Sequence, residues 1–315
     1  MTTAQTQLQQ ASPVISRNNV LARLWQYQRE RFPVFAHGLL VAAFSFSGVC
    51  LSAILRGSEQ LPSAATLFVA FACALSFFFQ LRVADEFKDA EEDAQHRPYR
   101  PVPRGLVSLG ELRAVAILTA IGQVVLCLLV KPDLIPLLVG TWAYLGLMTK
   151  EFFAAEWLRK HPVVYMCSHM LILPIIDYFI TACDWLPGNA PHGLVWFLAV
   201  SFFNGLVIEI GRKLRSPQEE EANVETYSAL WGLKSASSIW VTMMFVTAVC
   251  ATITAMSYGM APMTGGILAA LLLIIAVMAP KTASRFEALS AVWTLVLYLS
   301  VGTVPMLWIR FLSAN

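Results

Sequence analysis

The sequence predicts an all-α, polytopic membrane protein with nine transmembrane helices and a cytosolic amino terminus. Three observations carry that prediction. Of 315 residues, 57% are hydrophobic and only 13% are charged, and the mean hydropathy is +0.63, too apolar a balance for a soluble chain of this length. The apolar residues gather into nine runs, most of which reach the ~20 residues a helix needs to cross a bilayer. The basic residues also sort by side. With the amino terminus inside and nine crossings, only Arg56, Lys131 and Arg310 of the 22 Lys and Arg residues fall outside, as the positive-inside rule requires.

Residues 1–31 form a polar, Gln-rich tail carrying Arg17, Arg23, Arg29 and Arg31. It lacks the brief apolar core and cleavage site of a signal peptide, so it is expected to stay in the cytosol. Within it, 18–32 reads as an amphipathic surface helix that turns Leu21, Leu24, Trp25 and Phe32 to membrane lipids and its arginines to headgroups. Residues 32–315 then form a single nine-helix transmembrane catalytic domain. Its apolar runs are 33–55, 64–84, 109–130, 134–149, 162–182, 194–210, 237–258, 264–279 and 288–311. The fourth, sixth and eighth are the shortest. Six scattered cysteines with no C-x-x-C pair read as small buried hydrophobes rather than a disulfide or metal framework. A net charge of +2 singles out no partner, and nucleic acid is not expected.

The second apolar run ends in the densest polar segment of the chain, Asp85 to Gly105. Asp85, Asp89 and Asp93 recur every four residues, so a helix continued through them sets all three on one face. Such a row repels itself unless a cation draws it together. Magnesium suits the place, because it takes one or two protein carboxylates and completes its octahedron with water and phosphate oxygens. Pro98, Pro101 and Pro103 stiffen the following stretch while presenting Arg97, Arg100 and Arg104, whose guanidinium groups match phosphate geometry. Ser108 and Glu111 form a capping box that starts the next helix.

A second polar segment follows the sixth run, with Glu209, Arg212, Lys213 and Arg215 preceding Glu219 to Glu221. It comes four helices after the first, which would deliver two polar ends to one mouth. Two readings of Glu209 stand: a metal ligand, or a salt-bridge partner of Arg212 or Lys213 at i+3 or i+4. In the fifth run, Asp177 is an ionisable group inside a span, a costly placement that points to function. It reads either as a group that takes a proton from, or binds the hydroxyl of, a second substrate, or as a buried carboxyl bonded to tyrosine or backbone. His169 reads as a core histidine.

With these residues in place, the chain resembles the UbiA superfamily of intramembrane prenyltransferases. That family carries N-D-x-x-D-x-x-x-D and then R-P-x-R-P-x-P-x-G. Here Asp85-Glu86-x-x-Asp89-x-x-x-Asp93 and Arg97-Pro98-Tyr99-Arg100-Pro101-Val102-Pro103-Arg104-Gly105 stand in the same register. Asp85 replaces the family's Asn and Glu86 its Asp. The second family motif, D-x-x-D-x-x-x-D near a T-x-x-x-x-x-G end, keeps Thr226 and Gly232 but has only Glu209 and Glu219 to Glu221 as acids.

The resemblance implies a UbiA-like ring of nine helices around a central chamber. It also implies Mg2+ on Asp85, Glu86, Asp89, Asp93 and Glu209, and a prenyl diphosphate held by Arg97, Arg100, Arg104, Lys150, Arg212, Lys213 and Arg215. Lys150 matches a basic diphosphate ligand of the family, and reads equally as a positive-inside anchor. The expected activity is magnesium-dependent transfer of a prenyl group to a lipophilic, aromatic acceptor, with Asp85, Asp89, Asp93 and Asp177 as catalytic residues and the mouth on the cytosolic side. The alternatives are a terpene cyclase of the same superfamily, phosphoribosyl transfer to a polyprenyl phosphate, and a transporter. Transporters gather their polar groups near the bilayer midplane, whereas here the charges lie at helix ends.

Overall fold

The computed structural model describes residues 19–220, 225–278 and 280–313, and every element in it is helical. In chain order these are α1 (Val20–Arg31), α2 (Val34–Leu55), α3 (Ala64–Lys88), α4 (Ala90–His96), α5 (Leu109–Val130) and α6 (Ile135–Thr149). There follow α7 (Ala155–Arg159), α8 (Pro162–Met170), α9 (Ile172–Trp185), α10 (Leu194–Arg212), α11 (Tyr227–Trp231), α12 (Leu233–Met256), α13 (Ala261–Met278), α14 (Ala283–Tyr298) and α15 (Val304–Ser313). Polar side chains start several of them. Asn19 Oδ1 accepts from Ala22 N at 2.9 Å in α1, and Ser63 Oγ accepts from Thr66 N at 3.1 Å in α3. The expected capping box of Ser108 and Glu111 is present at the head of α5.

Among the described residues, eight helical rods are long and apolar enough to cross a bilayer, with α8–α9 and α14–α15 each counted as one. The ninth predicted crossing, α6, has only 15 residues. Its ends nevertheless lie at opposite ends of the bundle. Lys131, just before it, donates to Cys183 O at 2.7 Å, beside the Arg56–Asp184 pair, whereas Glu151, just after it, pairs with Lys88 at 2.8 Å.

Prolines explain two departures from straight helices. The run 162–182 divides at Leu171, because Pro174 has no N–H to bond Met170 O and its ring crowds that carbonyl. The last run passes through a π turn at Leu299–Thr303, one turn before Pro305, by the same mechanism. Inside the bundle, polar side chains link helices where water is absent. Gln80 of α3 donates to Gln123 of α5 at 2.8 Å, Gln123 donates to Cys73 O at 3.1 Å, and Trp142 of α6 donates to Gln80 at 3.2 Å.

The surface helix forms where it was expected, but with different facing. Its expected first residue, Asn18, lies outside the described residues, as does Arg17. Leu21 and Trp25 are exposed, in line with the lipid face, and line an open groove with Gln28, Arg29 and Val34. Phe32 is instead buried against Phe79 and His37. Leu24 packs with Tyr27, Val83 and Leu112. Arg23 and Arg31 turn to carboxylates of the bundle rather than to headgroups.

Candidate active site

α3 and α10 both pack on α9 and end at the same end of the bundle, where Arg212 lies within the field of Asp85. The acidic row is reached through a break that the expected continuous helix did not include. Asp89 joins α3 to α4 with φ −91° and ψ 5°. Helical hydrogen bonds still run across the joint, Asp89 N to Asp85 O at 2.9 Å and Asp93 N to Asp89 O at 2.8 Å. The four-residue spacing therefore survives.

The members of the row have different partners. Asp85 is partly exposed, and its nearest cation is Arg82 at 3.6 Å. Asp89 has no ion pair among the described residues; burial, and next the charge of Asp85, hold its carboxyl above the usual aspartate range. Asp93 is 2% exposed and is clasped by Arg100 Nη1, at 2.7 Å to Oδ1 and 2.6 Å to Oδ2, with Arg97 at 3.3 Å. Glu86, also 2% exposed, is taken by Arg31 at 2.6 Å.

Arg104 bonds Glu30 of α1 through both terminal nitrogens, at 2.8 and 2.7 Å, and Tyr99 O at 2.9 Å. The first helix thus grips the motif from outside.

At the end of α10, Glu209 is 4% exposed and holds Arg212 Nε at 2.5 Å and Lys213 Nζ at 3.0 Å. Tyr227 lies beneath the Lys213 ammonium, 5.4 Å from ring centre to nitrogen. Arg215 reaches Glu287 at 3.6 Å. The acids further along serve the loop. Glu219 accepts from Ser216 N and Ala283 N, each at 3.0 Å, and these amides pull its carboxyl below the usual range. Glu220 accepts from Thr226 and Ser228 hydroxyls. Glu221 lies outside the described residues.

Two predicted residues make no bond to these groups among the described residues. Lys150 is exposed at the end of α6 with no ion pair among the described residues. Asp177 is 0% exposed, in a closed network with Ser201 of α10 and Tyr298 of α14. Ser201 precedes Glu209 by eight residues, roughly 12 Å along a helix.

Sequence reasoning missed Lys88, which donates to the Tyr165 hydroxyl and pairs with Glu151. Lys88 sits inside the acidic motif, a signal that was available. Glu151 was hidden, because it is delivered by a turn in which three non-glycine residues, Glu151, Phe152 and Phe153, have φ of 47°, 53° and 57°, a costly left-handed run that no local pattern announces.

No group of three or more His, Cys, Asp or Glu arranged to hold a metal occurs among the described residues. Asp85 and Asp89 remain as two mutually repelling carboxylates one turn apart, which is the protein share an Mg2+ ion asks for. The residues fit one such ion.

The comparisons with known proteins bear on the family and the fold. A profile of the UbiA prenyltransferase family matches residues 42–296. No curated protein matches the chain. Among solved structures it is similar to one described as an apo structure of a UbiA homolog from Aeropyrum pernix K1, at 14% identity and a TM-score of 0.64, covering 86% of this chain and 98% of that one. It is also similar to a structure of digeranylgeranylglyceryl phosphate synthase in membranes, at 14% identity and a TM-score of 0.60, covering 92% and 99%.

Proposed function

The chain belongs to the UbiA prenyltransferase family, and on that premise we propose that it moves a prenyl group from a prenyl diphosphate to a lipophilic, aromatic acceptor, with Mg2+ held by Asp85 and Asp89. One observation carries the proposal. Among the family-motif carboxylates at this end of the bundle, Asp93, Glu86 and Glu209 are each closed by cations at 3.0 Å or less, while among the described residues Asp89 has none and Asp85 only a distant one. Magnesium there supplies Lewis-acid neutralisation of the leaving diphosphate.

The chain's own residues do the rest. Arg97, Arg100, Arg212 and Lys213 present N–H donors to phosphate oxygens at the end of the bundle, where an anionic head can stay wet. The apolar spans behind them receive the tail. Phe77, Phe78 and Phe44 cluster on α2 and α3, an apolar and aromatic surrounding that keeps water from an allylic cation and steadies it. By the distribution of Lys and Arg the mouth faces the cytosol.

The test is to incubate the purified protein in detergent with Mg2+ and geranyl, farnesyl or geranylgeranyl diphosphate, with and without phenolic or quinone-precursor acceptors. Donor consumption that requires an acceptor supports the transferase. Cyclic hydrocarbon or terpene alcohol formed without acceptor would replace it with a cyclase. Asp85→Asn and Asp89→Asn should each abolish turnover while the protein stays folded, and full activity in both would remove the metal assignment.

A further inference from the structure

Asp93 and Glu209 head two groups of the same composition on different helices. Each is a carboxylate at most 4% exposed that holds two cations, Arg97 and Arg100 in one case, Arg212 and Lys213 in the other. Each group carries one net positive charge. The geometry of the bonds leaves much of the donor capacity unused. Arg100 engages Asp93 through Nη1 alone, so Nε and Nη2 have no protein partner among the described residues. Arg212 engages Glu209 through Nε alone, which leaves both Nη groups in the same position, on a side chain that is 46% exposed. A guanidinium held by one edge offers its remaining N–H groups as a fork for phosphate oxygens.

For either carboxylate to coordinate a metal, it would have to release two cations and leave them facing a third. Among the described residues, no group of three or more acids, His or Cys that could hold a metal forms around Glu209. Glu219 and Glu220 are bonded to the loop, and Glu287 faces Arg215.

We propose that Asp93 and Glu209 are positioning residues that aim two cationic prongs, Arg97–Arg100 and Arg212–Lys213, at the two phosphates of the donor, so that protein cations take the place of a second metal ion. This rests on the reading of the site as one for a prenyl diphosphate. One prong comes from α4 with its loop and the other from the end of α10, and Arg212 lies within the field of Asp85.

The experiment uses the full chain in detergent and two probes. Inorganic diphosphate is titrated in the presence of EDTA and again with Mg2+, and bound Mn2+ is counted by electron paramagnetic resonance with diphosphate present. The wild type should bind diphosphate without metal and hold one Mn2+ per chain with it. Arg100→Gln and Arg212→Gln should each weaken metal-free binding about tenfold, the effect of a lost charge-assisted bond. Glu209→Gln and Asp93→Asn should weaken diphosphate binding and leave the Mn2+ count at one, with Glu209→Asp restoring part of the affinity.

A fall in the Mn2+ count in Glu209→Gln or Asp93→Asn would make those residues ligands and overturn the proposal. So would diphosphate binding that appears only with Mg2+. If Glu209→Gln does not fold, Arg212→Gln on its exposed side chain carries the same comparison. A wild type that binds diphosphate under neither condition would remove the prenyl diphosphate reading itself, and the inference with it.

Discussion

Arg31 Nε stands 2.6 Å from Glu86 Oε1, so the last residue of the surface helix neutralises a buried carboxylate in the middle of the acidic motif. Removing one partner of such a pair leaves an uncompensated charge, while removing both need not be costly. Arg31→Ala should therefore destabilise the protein by about 3 kcal/mol, seen as a lower Tm in detergent, and should reduce turnover by loosening Asp85 and Asp89 on the same turn. Arg31→Met with Glu86→Leu should recover most of the lost stability. A double variant no more stable than Arg31→Ala would mean that the ion pair is not what holds the helix.

Acid should release the same helix by a second route. Burial alone would raise the Glu30 carboxyl, but the hydrogen bonds from Arg104 and Gln26 outweigh it and hold the group below its ordinary value of 4.5. A carboxyl lowered by folding contributes stability that is complete above the unfolded value and is lost as pH falls through the folded one. Spin labels on α1 and on the 97–105 loop should thus give a narrow distance distribution at neutral pH that broadens as pH falls below 4.5. Glu30→Gln should be broad throughout. A Glu30→Gln distribution as narrow at neutral pH as the wild type's would remove Glu30–Arg104 as the latch.

What could be read from the amino acids divides along physical lines. Hydrophobic runs report the bilayer, an environment common to every span, so eight of the nine expected spans were legible among the described residues, as was the polar end. The divisions before Pro174 and Pro305 were legible in principle, since each lies one turn before a residue without an N–H. Partner choice was not. Glu86 looked like a member of the acidic row, and only tertiary structure brings Arg31, 55 positions away, to its carboxylate. Glu209 was left with two readings because i+3 and i+4 cations and a metal satisfy the same sequence pattern.

Close packing gives a separate prediction at Gly302 in the π turn. An added Cβ would lie 2.1 Å from the backbone oxygen of Ser47 and 2.6 Å from its carbonyl carbon. Backbone cannot rotate aside as a side chain can, so α2 and the π turn would have to separate. Gly302→Ala should cost about 3 kcal/mol, the upper end for overpacking, with a matching fall in Tm and in the monodisperse yield. Gly266→Ala on α13, where nothing lies within 4 Å, is the control and should be neutral. Equal behaviour of the two variants would contradict the contact.

Asp177 offers the sharpest test of role. Its Oδ2 accepts from the Ser201 hydroxyl and from the Tyr298 hydroxyl at 3.1 Å, Oδ1 has no hydrogen-bond partner among the described residues, and the side chain is 0% exposed. A base for the acceptor must reach the proton it removes, and a fully enclosed carboxyl bonded across three helices is poorly placed for that. Asn keeps an acceptor oxygen for both hydroxyls, so Asp177→Asn should leave kcat within about threefold, less than the 10² or more expected on removing a general base. Asp177→Leu leaves the Ser201 hydroxyl with Phe197 O at 3.2 Å and the Tyr298 hydroxyl with Ser201 Oγ at 3.3 Å, and the loss of the shared carboxylate should cost about 2 kcal/mol of stability. Loss of turnover in Asp177→Asn at unchanged Tm would instead make it the base. Retention of activity would remove Asp177 as the base and leave it the role of a buried link between the three helices.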